Sequence, residues 1–408
     1  MDEKKLINFF ENFIETKNLF QNRNILQSNF FPEQILHREE QINQIAKIIA
    51  PLLKNQKPSN LFLYGKTGTG KTLTIKYITK QIQELSEKKQ LPIKIIYINC
   101  KLKKIAETEY RLIAQLAREF GKAIPTTGFP TEEIYNIFFE AVDKEQKQIL
   151  LILDEIDQLV QKTSNEMLYN LTRINSELKN SQVSLIGISN DLLFVDSLDP
   201  RVKSSLSEEE LVFPPYNAMQ IQDILRQRAK EAFAENSIEQ GVIEKCAAYA
   251  ARDHGDARRA IELLRVSGEI AERETTTRIT LKHLDIAEGK IENDRITEIL
   301  LTQPKQYHAV LHSIFKISEK KPETSIFTGE IYDIYQKICE QNQLRPLTQR
   351  RISDILAEFD LLGLIHAKII SKGRYGRTRE INLNTSALNE NTKQLVSNQL
   401  LNSLWLQN

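Results

Sequence analysis

Gly65-Lys66-Thr67-Gly68-Thr69-Gly70-Lys71-Thr72 has the spacing Gly-x-x-x-x-Gly-Lys-Thr, and those residue types can hold a triphosphate. Glycines at 65, 68 and 70 let the backbone turn tightly and aim its N–H groups inward with no side chain in the way. Lys71 can reach the β- and γ-phosphates, and the Thr72 hydroxyl can ligate Mg²⁺. Thr67 and Thr69 complete the loop. A plain Gly/Thr turn has the same letters, so the flanks decide. Leu61-Phe62-Leu63-Tyr64 is apolar and of strand length, and Leu73 to Ser86 reads as a helix. A strand that delivers the loop and a helix that leaves it bring the helix's positive end onto phosphate. A nucleoside triphosphate site is expected here.

Further along, the apolar run Ile149-Leu150-Leu151-Ile152-Leu153 ends in Asp154-Glu155. One acid is needed for the Mg²⁺ shell, and the next can polarise an attacking water. Asp154 is assigned to the metal and Glu155 to the water. Many buried strands end in acids, and the upstream loop is what gives this pair its meaning. Asn190 closes the run Val183 to Ser189, where it can position the water, contact the γ-phosphate or simply make a turn. Arg258 follows a Gly-Asp turn and would fall in the first turn of a helix, where an arginine does not help the dipole. It is either a cation that reaches the nucleotide from a second domain or part of a solvated basic face.

The elements that must position these groups read as alternating strands and helices. Strands are expected at Leu61–Tyr64, Ile93–Asn99, Ile149–Leu153, Val183–Ser189 and Leu211–Phe213. Helices are expected between them, from about Lys104 to Phe120 and from Thr131 onward. That order predicts a parallel five-stranded α/β sheet with helices on both faces, and ligand at the strands' carboxyl ends. Residues 1–30 carry a short amphipathic pattern (Leu6, Phe9, Phe10, Phe13, Ile14) that fits a packing helix or a loose arm. Pro32 to Leu53 is helical in spacing. From Tyr216 to about Glu292 the pattern is helical throughout, a small all-α domain. Three helices follow (about 296–317, 327–341 and 348–361), then strands at Leu364–Ser371 and Thr378–Leu383 around a Gly-rich tip. That is a helix-turn-helix with a β-hairpin wing. Residues 387–408 are a last helix or a tail.

A chain of 408 residues should form two or three domains. Its net charge of +1 gives no global argument for nucleic acid, so any basic surface must be local. Residues 345–384 supply one, with eight Lys/Arg against four acids. Gln349, Arg350, Arg351 and Ser353 stand near the start of the third helix, the part a recognition helix presents to the major groove. Lys372, Arg374, Tyr375 and Arg377 tip the wing, within reach of phosphates or the minor groove. Cys100, Cys246 and Cys339 lie far apart without metal spacing and read as reduced core thiols. No signal-type leader and no membrane-spanning run is present, so a cytoplasmic protein is expected.

Taken together these residues resemble the archaeal origin-recognition and helicase-loader family, the initiator branch of the AAA+ ATPases. The resemblance covers roughly residues 25 to 385. It rests on Pro32 with His37-Arg38-Glu39-Glu40-Gln41, on the loop Tyr64 to Thr72, on Leu153-Asp154-Glu155-Ile156-Asp157, and on Gly187-Ile188-Ser189-Asn190. It continues through Leu198-Asp199-Pro200-Arg201-Val202-Lys203-Ser204-Ser205-Leu206, Phe213-Pro214-Pro215-Tyr216, Gly255 to Ala260, and Gly373-Arg374-Tyr375-Gly376-Arg377-Thr378. It implies an N-terminal arm (1–30), an AAA+ domain (31–215), a helical lid (216–292), a winged-helix DNA-binding domain (293–386) and a C-terminal tail (387–408). It also implies roles. Ile35 to Arg38 would wall the adenine pocket. Asn190 and Arg258 would be the first and second sensors. Tyr216 and Arg228, on the helix that opens the lid, would contact nucleotide. Arg201 would reach the γ-phosphate of a neighbouring copy. The insertion around 105–135 would be DNA-touching helices, although packing helices fit the same pattern.

The function expected is an ATP-dependent replication initiator. It would bind double-stranded origin DNA, alone or with other copies or paralogues, and help recruit the replicative helicase. ATP/ADP and Mg²⁺ would serve as a switch with slow hydrolysis, since Asp154 and Glu155 are both present. A signalling or transcriptional ATPase with a winged helix, and an initiator paralogue without origin preference, are the alternatives.

Overall fold

Runs of Leu and Ile with no polar alternation suit strands buried on both faces, and most of the central sheet is made of such runs. The computed structural model describes residues 18–101, 108–125, 128–163, 165–194, 196, 198–206, 208–321, 325–371, 377–383 and 390–401. They fall into two units, Met1–Leu284 and Asp285–Asn408. The first unit begins with α1 (Glu39–Ile49), β1 (Asn60–Tyr64), α2 (Lys71–Lys89), β2 (Ile93–Asn99), α3 (Glu109–Glu119) and α4 (Thr131–Asp143). It goes on through β3 (Gln148–Asp154), α5 (Ile156–Lys162), α6 (Asn165–Arg173), β4 (Gln182–Ser189), α7 (Pro200–Leu206) and β5 (Glu208–Val212). All five strands are parallel, in the order β2-β3-β4-β1-β5.

Side chains alternate across the sheet with period two. Leu61, Leu63, Leu150, Ile152, Ile186 and Ile188 share a core with Ile45 and Ile49 of α1 and Ile75, Ile78 and Ile82 of α2. Phe62, Tyr64, Ile149, Leu151 and Leu153 share another with residues of α3 to α6. Helices therefore cover both faces, and the carboxyl ends of β1, β3 and β4 lie side by side. In the 105–135 insertion, Leu112, Ile113 and Leu116 of α3 pack with Ile134 and Phe138 of α4. The helix expected from Lys104 starts at Glu109, where the Thr108 hydroxyl caps it; residues 102–107 lie outside the described ones. The fifth strand begins earlier than its apolar residues suggest, at Glu208 instead of Leu211, and ends before Phe213. It is an edge strand, so Glu209 and Glu210 stay exposed and no apolar run marks it. Charge on an edge also discourages pairing with a further strand.

The lid consists of α8 (Ala218–Ala232), α9 (Val242–Arg252) and α10 (Ala257–Arg273). Asn217 and Gln220 form a capping box at the start of α8, and the Asp256 carboxylate caps α10. Leu19, Phe20, Ile25 and Leu26 are buried, and this stretch is tied to the lid. The Phe20 and Phe233 ring centroids are 4.7 Å apart, and the Ala234 N–H donates to the Leu19 carbonyl at 3.0 Å. So residues 19–26 are no loose arm; the amphipathic pattern from Leu6 to Ile14 lies outside the described residues.

The second unit holds most of α11 (Leu281–Thr302), then α12 (Lys305–Lys320), β6 (Ile326–Phe327), α13 (Thr328–Gln341) and α14 (Gln349–Leu361). β7 (Ile365–Ser371), β8 (Arg377–Leu383) and α15 (Glu390–Leu401) complete it. Two expectations need correction. The single helix expected at 296–317 is two, because Pro304 has no N–H to continue α11 and instead precedes α12. The wing has a third strand, β6, in the order β6-β8-β7; two residues are too short to read from a pattern. Of the last helix or tail expected at 387–408, the helix is present: α15 buries Val396 and Leu400 in the same core as Val310, Ile314 and Phe359. Trp405 lies outside the described residues. Cys100, Cys246 and Cys339 are buried, and burial pushes the Cys100 and Cys339 thiols up from their ordinary pKa. No described helix is long and apolar enough to cross a membrane.

Candidate nucleotide-binding site

The loop after β1 turns on left-handed glycines, with φ of 72° at Gly68 and 89° at Gly70. Lys71, the first residue of α2, is buried. Its Nζ donates to the carbonyls of Gly65 (2.6 Å) and Lys66 (2.8 Å) and to Asn190 Oδ1 (2.9 Å). Burial pushes its pKa down to about 8; nearby Arg258 acts in the same direction and Asp154 against it. The Thr69 hydroxyl donates to the Lys66 carbonyl at 2.9 Å and fixes the turn. Thr67 is exposed at the loop's surface.

Asp154 ends β3 beside this loop and is buried. Its Oδ2 accepts from the Thr72 hydroxyl at 2.9 Å and from the Tyr97 hydroxyl at 2.5 Å, and its Oδ1 accepts the Glu155 N–H at 3.0 Å. Glu155 itself is left-handed (φ 56°) and precedes α5; its carboxylate lies 3.9 Å from Lys101 Nζ. Hard oxygens on Thr72 and Asp154 suit Mg²⁺. Among the described residues no group of three His, Cys, Asp or Glu could hold a metal alone. That also suits Mg²⁺, which is usually held by one or two protein oxygens together with substrate phosphates. The Asn190 backbone N–H donates to Asp157 Oδ1 at 3.3 Å, so the acid-rich turn after β3 steadies the asparagine that holds Lys71.

A cavity of about 1190 Å³ opens beside these groups, lined on the sheet side by Gly68, Gly70, Thr72, Asp154 and Glu155. Ile35, Tyr216, Arg228 and Arg258 line it from the N-terminal segment and the lid. Arg258 sits in the first turn of α10, its N–H bonded to Asp256 Oδ1 at 2.8 Å. Arg228 is buried over the Phe30 ring, 4.5 Å from its centroid, and its Nη1 has no hydrogen-bond partner. Tyr216 precedes α8 instead of lying on it.

Arg38 does not line the cavity. It is buried behind the loop, where Nε donates to the Thr69 carbonyl (2.9 Å), Nη1 to His37 (3.1 Å) and Nη2 to Pro214 (2.6 Å). Its guanidinium lies 3.8 Å from the Tyr216 ring centroid. Arg38 thus joins the phosphate loop to the strand–lid connection, whereas Ile35 and Leu36 of the Ile35–Arg38 segment line the cavity. The glycines serve the same apposition. A Cβ on Gly68 would fall 1.7 Å from Asp256 Oδ1, and one on Gly70 would fall 2.8 Å from the Tyr216 hydroxyl. Sequence reasoning missed Tyr97 and Asp256. The only signal was position, two residues before the end of the strand beside β3 and at a helix N-cap.

Arg201 lies apart from this cavity. It is 80% exposed and held by Asp199, Nη2 to Oδ2 at 3.1 Å. In the second unit, Thr348 caps α14, and Gln349, Arg350 and Arg351 are exposed in its first turn. Arg351 faces Asp354 at 3.7 Å, and the Ser353 hydroxyl bonds back to the Gln349 carbonyl. Lys372, Arg374 and Tyr375 fall outside the described residues; Arg377 opens β8, paired with Ser371.

Three family models match in chain order: an AAA domain over residues 54–193, the Cdc6 AAA+ ATPase-type lid domain over 222–289, and the CDC6 C-terminal winged helix domain over 298–390. The ORC1-type DNA replication protein of Thermococcus onnurineus is 48% identical over 95% of this chain and 93% of its own. The chain belongs to the ORC1-type DNA replication proteins. ORC1-type DNA replication protein 1 of Archaeoglobus fulgidus is 50% identical over 92% of this chain and 91% of its own. Among solved structures, the Aeropyrum pernix ORC1 protein in complex with DNA superposes with a TM-score of 0.79. It is 40% identical and covers 95% of this chain and 98% of that one. The fold is thus an AAA+ five-stranded parallel domain with an all-α lid, followed by a C-terminal winged helix.

Proposed function

We propose that this chain is an ATP-dependent replication initiator that binds origin duplex DNA and helps recruit the replicative helicase. One observation carries the reading. A phosphate loop and a lid arginine face one cavity in a chain that matches, nearly end to end, an ORC1 protein solved in complex with DNA. ATP/ADP would occupy that cavity, with phosphates on the loop N–H groups, Lys71 and Arg258. Thr72 and Asp154 would hold Mg²⁺, which supplies charge neutralisation at the β- and γ-phosphates. Glu155 would orient water, and Asn190 would pass from Lys71 to the γ-phosphate or that water. Because Lys71 is bound to two loop carbonyls and Asn190, phosphate must exchange with them. Slow turnover and a switch-like use of ATP fit that arrangement. Arg201, exposed and steadied by Asp199, is available to a neighbouring copy's γ-phosphate.

On DNA, the first turn of α14, with Gln349, Arg350, Arg351 and Ser353, would face base edges. The wing residues Lys372, Arg374, Tyr375 and Arg377 would contact the backbone or minor groove. The divisions 1–30, 31–215, 216–292, 293–386 and 387–408 belong to this proposal. The family matches at 54–193 and 222–289 lie inside the second and third, and the match at 298–390 ends where α15 begins; the core that Val396 and Leu400 share with Phe359 is what supports carrying the fourth on to include α15.

Footprinting on genomic duplex fragments, with ATP and with ADP at near-physiological salt, tests the proposal. Discrete protected sites in one intergenic region are expected. Uniform weak protection that vanishes with moderate salt would identify a paralogue without origin preference. No protection while ATP is still bound would favour a signalling ATPase.

A further inference from the structure

We propose that Tyr97 is a positioning residue for the divalent cation, acting through Asp154. The inference rests on the nucleotide reading above. Tyr97 lies on β2, which pairs with β3 in a register that sets Tyr97 opposite Ile152 and Asn99 opposite Asp154. Its side chain is on the α2 face of the sheet, among residues packed with Ile75 and Ile78. From there the phenol reaches forward to Asp154 and lines the cavity.

The helix opposite supplies two matching groups. Thr72 and Lys76 are four residues apart on α2 and so share a face. The Thr72 hydroxyl donates to the same carboxylate oxygen, Asp154 Oδ2, that accepts the Tyr97 hydroxyl. The Lys76 ammonium lies 4.5 Å from the Tyr97 ring centroid, where the ring's negative face attracts it. Tyr97 is therefore held on one side by a cation and on the other by its hydrogen bond.

The consequence concerns Thr72. Its hydroxyl has one proton, and giving that proton to Asp154 leaves its lone pairs free for a cation. This works only while Oδ2 stays in place. Oδ1 is fixed by the Glu155 N–H, and Oδ2 is fixed by the two hydroxyls. Without the phenol, Thr72 alone restrains Oδ2, and the carboxylate plane can turn about its bond to the chain. Outer partners of this kind typically change metal affinity by about 10- to 100-fold.

The test is the Mg²⁺ dependence of binding of a fluorescent ATP analogue, measured in EDTA and across a Mg²⁺ titration. Tyr97→Phe keeps the ring and its packing and removes only the hydroxyl. Its affinity in EDTA should stay within about twofold of the native protein, while the Mg²⁺ midpoint rises by about tenfold. Incorporating 3-fluorotyrosine at position 97 keeps the hydroxyl and should preserve the native midpoint. An unchanged midpoint in Tyr97→Phe overturns the proposal. A midpoint raised equally in both variants also overturns it, since ring packing would then be the cause. Failure of the native protein to bind the analogue at all would instead remove the nucleotide reading on which the proposal rests.

Discussion

At the scale of single residues, the site stores its charges before any ligand arrives. Lys71 is buried with its pKa at about 8, well under its ordinary value. Between about pH 8 and the ordinary lysine range the unfolded chain binds more protons than the folded one, so this group's contribution to stability rises with pH across that window. Phosphate reverses the shift by favouring the ammonium. Nucleotide binding near pH 8 should therefore take up on the order of half a proton, seen as a calorimetric heat that changes with the buffer's ionisation enthalpy. Lys71→Arg should abolish the uptake, because a guanidinium stays charged there. Gly68 makes a different point. It is left-handed and abuts Asp256, so Gly68→Ala should cost at least about 1–2 kcal/mol of stability in a urea titration. The cost should shrink in an Asp256→Ala background, since part of it is the clash; additive costs would mean the two sites are independent.

At the scale of elements, α14, proposed above to face base edges, gives the most direct test. Arg350 is exposed in the first turn of α14. Arg350→Ala should leave the melting temperature essentially unchanged while relaxing preference at one base pair by about 1–3 kcal/mol. Competition binding against single-base variants of a protected site measures it; an equal loss at every sequence would make Arg350 a phosphate contact. The same scale shows what the sequence could reveal. Strands β1, β3 and β4 are mostly apolar runs buried on both faces, so their ends, and with them the loop, Asp154 and Asn190, were legible. β5 was only partly legible because an edge strand needs no apolar run. β6 was invisible because two residues carry no period. Pro304 was a visible breaker, but apolar residues on both sides bridged it in the pattern. Arg38 and Tyr97 act through long side chains that cross between elements, and no local spacing encodes such contacts.

At the scale of the whole molecule, the two units have separate cores. A heat scan should resolve two transitions. A nucleotide at 100 times its Kd should stabilise only the one that contains the sheet and lid, by about 2.7 kcal/mol, which corresponds to an upward shift of roughly 4–5 °C. A joint shift of both transitions would show that the units melt as one. Origin duplex should raise the other transition instead. The three buried cysteines have a practical meaning beyond packing. None presents a thiolate to solvent, so the native chain already serves as a silent background for maleimide dyes. A single Leu361→Cys substitution, at a side chain 88% exposed, would give one reporter for single-molecule fluorescence on DNA without first stripping the native thiols.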